Sequence, residues 1–206
     1  MSREWVTADQ HFNHFAICKF MDRPFKNVWA MNTFLIEKWN EKVGEKDIVY
    51  CLGDLGWGDM QEILDILNGK IVYIHSLEWS HENAAMRFKD RFKIVAPLLT
   101  IQRVINHKKI YITMCHYCLR TWPKAHYNSW HLFGHSHGRL RPKGKSWDVG
   151  VDNNDYVPLS LDEDVPRIMT KRPDNPAYQR LKYQKSRAEI AAEISEDELE
   201  EKENCR

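Results

Sequence analysis

The 206-residue sequence has almost no excess of either charge: 30 Lys and Arg against 29 Asp and Glu leave a formal net charge of +1. So balanced a chain carries no basic field broad enough for general duplex binding. Long apolar runs are missing too. The longest, around Ile94–Ile101, is broken by Pro97 and falls short of the roughly 18 residues a membrane span needs. The opening Met1-Ser2-Arg3-Glu4-Trp5 has an acidic residue and no apolar core behind it, so no signal peptide is expected. The expected location is cytoplasmic, with no membrane partner. Five cysteines, an odd number without a secretion signal, predict free thiols and exclude a disulfide framework. Internal repeats are absent as well. What remains is a globular composition, 43% hydrophobic and 29% charged, long enough for one well-buried domain.

Histidine and tryptophan are the residues in surplus, ten and eight respectively. Histidine serves metals and near-neutral proton transfer, so its placement matters. Trp5-Val6-Thr7-Ala8 reads as a buried strand running into Asp9-Gln10-His11. Val28, Met31, Leu35 and Trp39 recur at helical spacing, with Asn27 as N-cap and Gly44 as stop. Asp47–Leu52 reads as a second strand ending in Gly53-Asp54. Met60–Leu67 reads as a short helix and Lys70–Ile74 as a third strand. After Pro97 the pattern turns β-rich: Leu99–Ile105 and Lys109–Cys115 flank a turn at Asn106-His107-Lys108, and shorter strands follow at Leu132–Gly134 and Trp147–Val151. The alternation predicts an α/β layered fold.

Residues 1–165 are expected to form the domain, and 166–206 a proline-containing linker with a charged helical tail. From Ser186 onward there are eight acidic and three basic residues, net −5. This tail is either a solvated helix or a partner helix joining copies of the chain through Ile190 and Ile194.

Polar clusters sit where the buried strands end. Asp9 and His11 are two apart, which on an extended segment puts both side chains on one face; His135 and His137, in Gly134-His135-Ser136-His137-Gly138, repeat the spacing. Asp54 follows a strand directly, and His116 follows Ile110–Cys115. Each has a plain alternative: an Asx turn at Asp9, a Gly-Asp turn at Asp54, surface histidines elsewhere. Together, carboxylates and imidazoles from separate strand ends suit a hydrolytic metal site. The Cys-x-x-Cys of Cys115–Cys118 has no second pair and does not make a zinc site.

The series Asp9-x-His11, Gly53-Asp54, His116 and Gly134-His135-x-His137 resembles the calcineurin-like metallophosphoesterase superfamily, in particular its small phage and bacterial branch. Arg23-Pro24-Phe25, Ile36–Asn40, Arg120, Trp122 and Asp148-Val149-Gly150-Val151-Asp152 agree with it, so the similarity covers roughly residues 3–165. The resemblance implies a β-sandwich flanked by helices with a dinuclear metal site at the strand ends. Asp9, His11 and His137 would hold one divalent ion. Asp54 would bridge to a second, which His116 and His135 also hold. Manganese is the first expectation, with iron, nickel or zinc as alternatives. A hydroxide bridging the ions would attack phosphorus in a phosphoester, most simply a phosphodiester. The substrate would be a small phosphoester, a nucleotide or a nucleic-acid end. Arg120 either forks onto a phosphate oxygen or makes a structural ion pair.

One departure stands out. The family's Gly-Asn-His after the third strand is missing, and Leu77 occupies the place of the metal-binding Asn. In a shifted frame, Ser80-His81-Glu82 substitutes for the motif, with Ser80 as a weak ligand and His81 as the acid that protonates the leaving group. The alternative is a degraded loop, and with it a catalytically impaired metal-binding scaffold or regulatory module.

Overall fold

The structure is a computed structural model that describes residues 2–76 and 87–183. Ser80 and His81, together with Leu77 and the acidic tail, lie outside the described residues.

Strands β1 (Glu4–Thr7), β2 (Ile48–Cys51), β3 (Lys70–Ile74) and β4 (Lys93–Val95) are parallel neighbours. With β9 (Leu159–Ser160) antiparallel to β1, they form a five-stranded sheet ordered β4-β3-β2-β1-β9. Strands β5 (Leu98–Ile105), β6 (Lys108–Cys115), β7 (Trp130–Phe133) and β8 (Ser146–Asp148) form a four-stranded sheet in that order. The β5–β6 pair is an antiparallel hairpin, and the rest of that sheet is parallel. Its turn is shorter than the sequence suggests: Asn106 and His107 alone turn the chain, both at positive φ, as a two-residue hairpin demands.

Residue alternation decides what each face meets. On one face of the first sheet Trp5, Val49, Cys51 and Tyr73 pack against the helices α1 (Ala16–Phe20), α2 (Val28–Lys42) and α3 (Gln61–Ile66). On the other face Val6, Tyr50, Leu52 and Ile74 meet Ile112, Met114, Trp130 and Leu132 of the second sheet. In α2, Met31, Leu35 and Trp39 are buried, as the helical spacing predicts, each worth about 1.5–3 kcal/mol. The Asn27 side chain accepts from the Ala30 amide at 2.8 Å and caps the helix start.

The proline-punctuated stretch after residue 165 is not the linker that its prolines suggest. It holds α4 (Asp164–Lys171), with Val165, Pro166 and Met169 buried, and then α5 (Pro176–Tyr183). Pro166 falls in the first turn, where its missing amide costs no helical bond. Asn175 fastens this segment to the body, donating to the Ala125 and Ser129 carbonyls at 3.1 and 2.8 Å. Among the described residues no helix is long and apolar enough to cross a membrane.

Candidate metal centre

Both sheets bring parallel strands to one end, which is where ligands collect in such sheets. Thr7 and Cys51 are register partners, so the loops carrying Asp9, His11 and Asp54 start level with one another. In the second sheet β6 leads straight into His116, and β7 into Gly134 and His135. A parallel bridge between Ala8 and Gly150 ties the two sheets together here. Two groups result: Asp9, His11 and His137, and Asp54, His116 and His135, each with donor atoms within 4.8 Å of one another. Asp54 Oδ2 stands between the groups, 3.5 Å from His11 Nε2 and 3.6 Å from His116 Nε2.

The convergence does not come from strand alternation, as the two-residue spacings suggest. Asp9, His11, Asp54, His135 and His137 have φ of 62°, 55°, 51°, 65° and 48°, all in the left-handed region. Each such conformation costs a non-glycine residue about 1–2 kcal/mol, and clusters of them mark functional sites. Backbone bonds between loops hold these turns: His11 N to Asp54 O at 3.0 Å, and Gly134 N to His116 O at 2.9 Å. Two glycines allow the close approach. A Cβ on Gly53 would lie 2.7 Å from His116 Nδ1, and one on Gly150 would lie 2.5 Å from Asp9 Oδ2.

Partners behind the cluster fix which atoms face it. His116 Nδ1 is 2.6 Å from the Leu52 carbonyl oxygen, which can only accept, so Nδ1 carries the proton and Nε2 presents its lone pair. His137 Nδ1 donates to Asp152 Oδ2 at 2.6 Å, leaving Nε2 as its lone-pair nitrogen. Arg23 grips both Asp152 oxygens at 2.7 Å and also reaches the Gln10 and Asp9 carbonyls at 2.8 and 2.7 Å. Asp9 accepts from the His135 amide at 3.0 and 2.9 Å.

Asp148 pins the loop between the two histidines, accepting from Ser136 Oγ at 2.5 Å and from the Gly138 and Gly150 amides at 2.8 Å. Burial, then the charges of Asp54 and Asp148, push the Asp9 carboxyl well above its usual pKa. Burial also acts to raise Asp152, but hydrogen bonds from His137 and Arg23 outweigh it and hold that carboxyl below the usual range. Buried carboxylate oxygens and oriented imidazole nitrogens, with more negative charge than Arg23 offsets, are a donor set that fits a divalent cation.

An uncharacterized protein of Methanocaldococcus jannaschii is 34% identical over 174 residues, covering 79% of this chain and 89% of its own. The chain belongs to that protein's family. The Gene 66 protein of Mycobacterium phage D29 is 36% identical to this chain over 70 residues, 32% of each. No family model matches the chain. Among solved structures, a protein of unknown function from Aquifex aeolicus superposes with a TM-score of 0.59 at 20% identity, over 83% of this chain and 99% of its own. That likeness is one of fold.

In this member of the family six of the residues singled out from the sequence meet at one place. Arg120 is not in the cluster; it is exposed on the wall of a neighbouring cleft. The supporting residues Arg23, Asp148 and Asp152 went without assigned roles in the sequence reading. The signal for them was there: Asp148-Val149-Gly150-Val151-Asp152 sets two carboxylates around an apolar strand end, a costly placement unless each has a fixed partner.

Proposed function

We propose that the chain is a metal-dependent phosphoesterase, most simply a phosphodiesterase, built as a metallophosphoesterase-like sandwich with a dinuclear site. The observation that carries this reading is the position of Asp54 Oδ2, 3.5 and 3.6 Å from a histidine nitrogen of each three-residue group. Asp9, His11 and His137 would hold one ion; His116 and His135 would hold the other, with Asp54 shared. Divalent ions in such a site supply Lewis acidity toward phosphoryl oxygens and a water acidic enough to serve as nucleophile near neutral pH.

The chain's own residues supply the rest. Leu52 and Asp152 hold His116 and His137 in the tautomers that direct Nε2 inward. Arg23 keeps Asp152 ionised and fixes the Asp9–Gln10 backbone, so ligand positions are set before any ion arrives. Arg120, four residues after His116, would fork onto a phosphate oxygen. His81 would protonate the leaving group and Ser80 would complete the second ion's ligands.

Leu77 at the place of the family Asn favours a second reading, an impaired metal-binding module of the same fold. Hydrolysis of bis-p-nitrophenyl phosphate by metal-stripped protein, titrated with manganese beside Asp54→Asn, separates them. Manganese-dependent turnover that vanishes in Asp54→Asn is expected. Folded protein inert with manganese, nickel and zinc would leave the module reading in its place.

A further inference from the structure

A cleft of about 470 Å³ is walled by the chain just past two of the candidate ligands. Leu119, Arg120 and Trp122 follow His116 on one side; Leu140, Arg141 and Lys143 follow His137 on the other. Leu119 is three positions after His116 and Leu140 three positions after His137, so each pair of Cα atoms lies within about 11 Å.

Both walls are held from behind. The Leu119 amide donates to His131 Nε2 at 3.0 Å, while His131 Nδ1 donates to the Thr113 carbonyl at 3.1 Å. Trp122 Nε1 donates to the Ser129 carbonyl at 3.1 Å. On the other wall Arg172 binds the Pro142 and Gly144 carbonyls, and Ser146 Oγ donates to the Lys143 carbonyl at 2.8 Å. Arg139, the residue before Leu140, is tied to the Phe20 carbonyl.

The charges on these walls are unspent. Arg120, Arg141 and Lys143 are exposed and form no ion pair among the described residues. No carboxylate is among the described residues lining the cleft, whereas Leu119, Trp122 and Leu140 add apolar surface to it. Fixed backbone, cations without ion pairs and apolar lining beside the candidate metal centre suit an anion attached to a less polar body.

We infer that this cleft binds a second phosphate of the substrate, so the substrate class is a nucleotide or nucleic-acid end with at least two phosphate groups. The inference rests on the phosphoesterase reading for the identity of the first phosphate. Arg141 and Lys143 take the second phosphate, and the sugar or base covers Leu140 and Trp122. The overall charge of +1 hides this local surplus, which is why composition gives no sign of it.

Binding by metal-stripped full-length protein tests the cleft without turnover. Fluorescein-labelled pentathymidylate is titrated at 50 and 200 mM salt against wild type, Arg141→Gln/Lys143→Gln, and the equally neutralised control Lys108→Gln/Lys109→Gln on the remote hairpin. The cleft variant should bind about tenfold more weakly, and its log–log salt slope should flatten by about 0.7, one phosphate's worth on a single strand. The control should change neither. Equal affinities and slopes in wild type and cleft variant would overturn the inference.

With manganese restored, thymidine 3′-phosphate 5′-(p-nitrophenyl phosphate) should be preferred over thymidine 5′-(p-nitrophenyl phosphate), a preference the cleft variant loses about tenfold. No turnover of either ester, nor of bis-p-nitrophenyl phosphate, would count against the phosphoesterase reading while the binding result still judges the cleft. Competition by thymidine triphosphate against a phosphorylated dinucleotide tells whether a polyphosphate or a neighbouring strand phosphate fits better.

Discussion

The two groups of candidate ligands differ in what stands behind them. Asp9, His11 and His137 are backed by a charged relay: His137 rests on Asp152, and Asp152 rests on Arg23, which also holds the Asp9 and Gln10 carbonyls. In the second group, among the described residues, the hydrogen bond behind His116 comes from a neutral group, the Leu52 carbonyl, and a 3.2 Å contact joins His116 Nε2 to His135 Nδ1. His135 is also the exposed member of its group, whereas His137 is partly covered. Ionic support raises the basicity of an imidazole ligand more than a carbonyl does. The first group should therefore hold a cation more tightly, and the second should depend more on groups beyond these three residues.

The largest expected effect falls on the relay. Arg23→Met leaves the 8% exposed Asp152 side chain without its guanidinium, and should destabilise the fold by about 3–5 kcal/mol in urea unfolding. A loss under 1 kcal/mol would mean that the relay contributes little to holding the first group.

Next comes acid sensitivity on the side of the second group, where His131 anchors the segment after His116. Burial lowers its pKa from 6.5 to about 4, so the unfolded chain binds a proton that the folded chain refuses between those values. Stability is unaffected by this residue above pH 6.5 and falls by about 3 kcal/mol as pH drops to 4. Unfolding of His131→Gln across that range should show a correspondingly flatter decline.

Asp152→Asn keeps the shape of the relay and removes its charge. Manganese affinity at the tighter site should fall about 10- to 100-fold, with the weaker site little changed. The smallest effect serves as a control: Asn27→Ala removes the α2 cap, at a cost of about 1 kcal/mol in stability, and should leave manganese affinity at both sites unaltered.

How much of this could be read from the sequence follows from the range of the interactions involved. Helix α2 was legible because its spacing and its cap are local, and β1, β2 and β3 because each is a short apolar run that ends in a polar residue. The six clustered residues could be marked one by one, but the left-handed turns at five of them could not, because these are held by backbone bonds between loops far apart in sequence. Arg23 and Asp152 are 129 residues apart, so no local pattern pairs them. Strand β9, with two residues, and α1, with five, are too short for periodicity to show. Helix α4 was obscured by Pro166, which a first turn accommodates. Ser80 and His81, the proposed stand-ins for the Gly-Asn-His motif of the superfamily that the sequence resembles, lie outside the described residues.

Manganese binding to metal-stripped protein, followed by titration calorimetry beside Asp54→Asn, bears most directly on the shared-carboxylate centre. Two ions per chain are expected, the first bound at least about tenfold more tightly than the second, with Asp54→Asn weakening both. A single ion per chain, or two whose affinities are the same in Asp54→Asn, would contradict a centre built around Asp54.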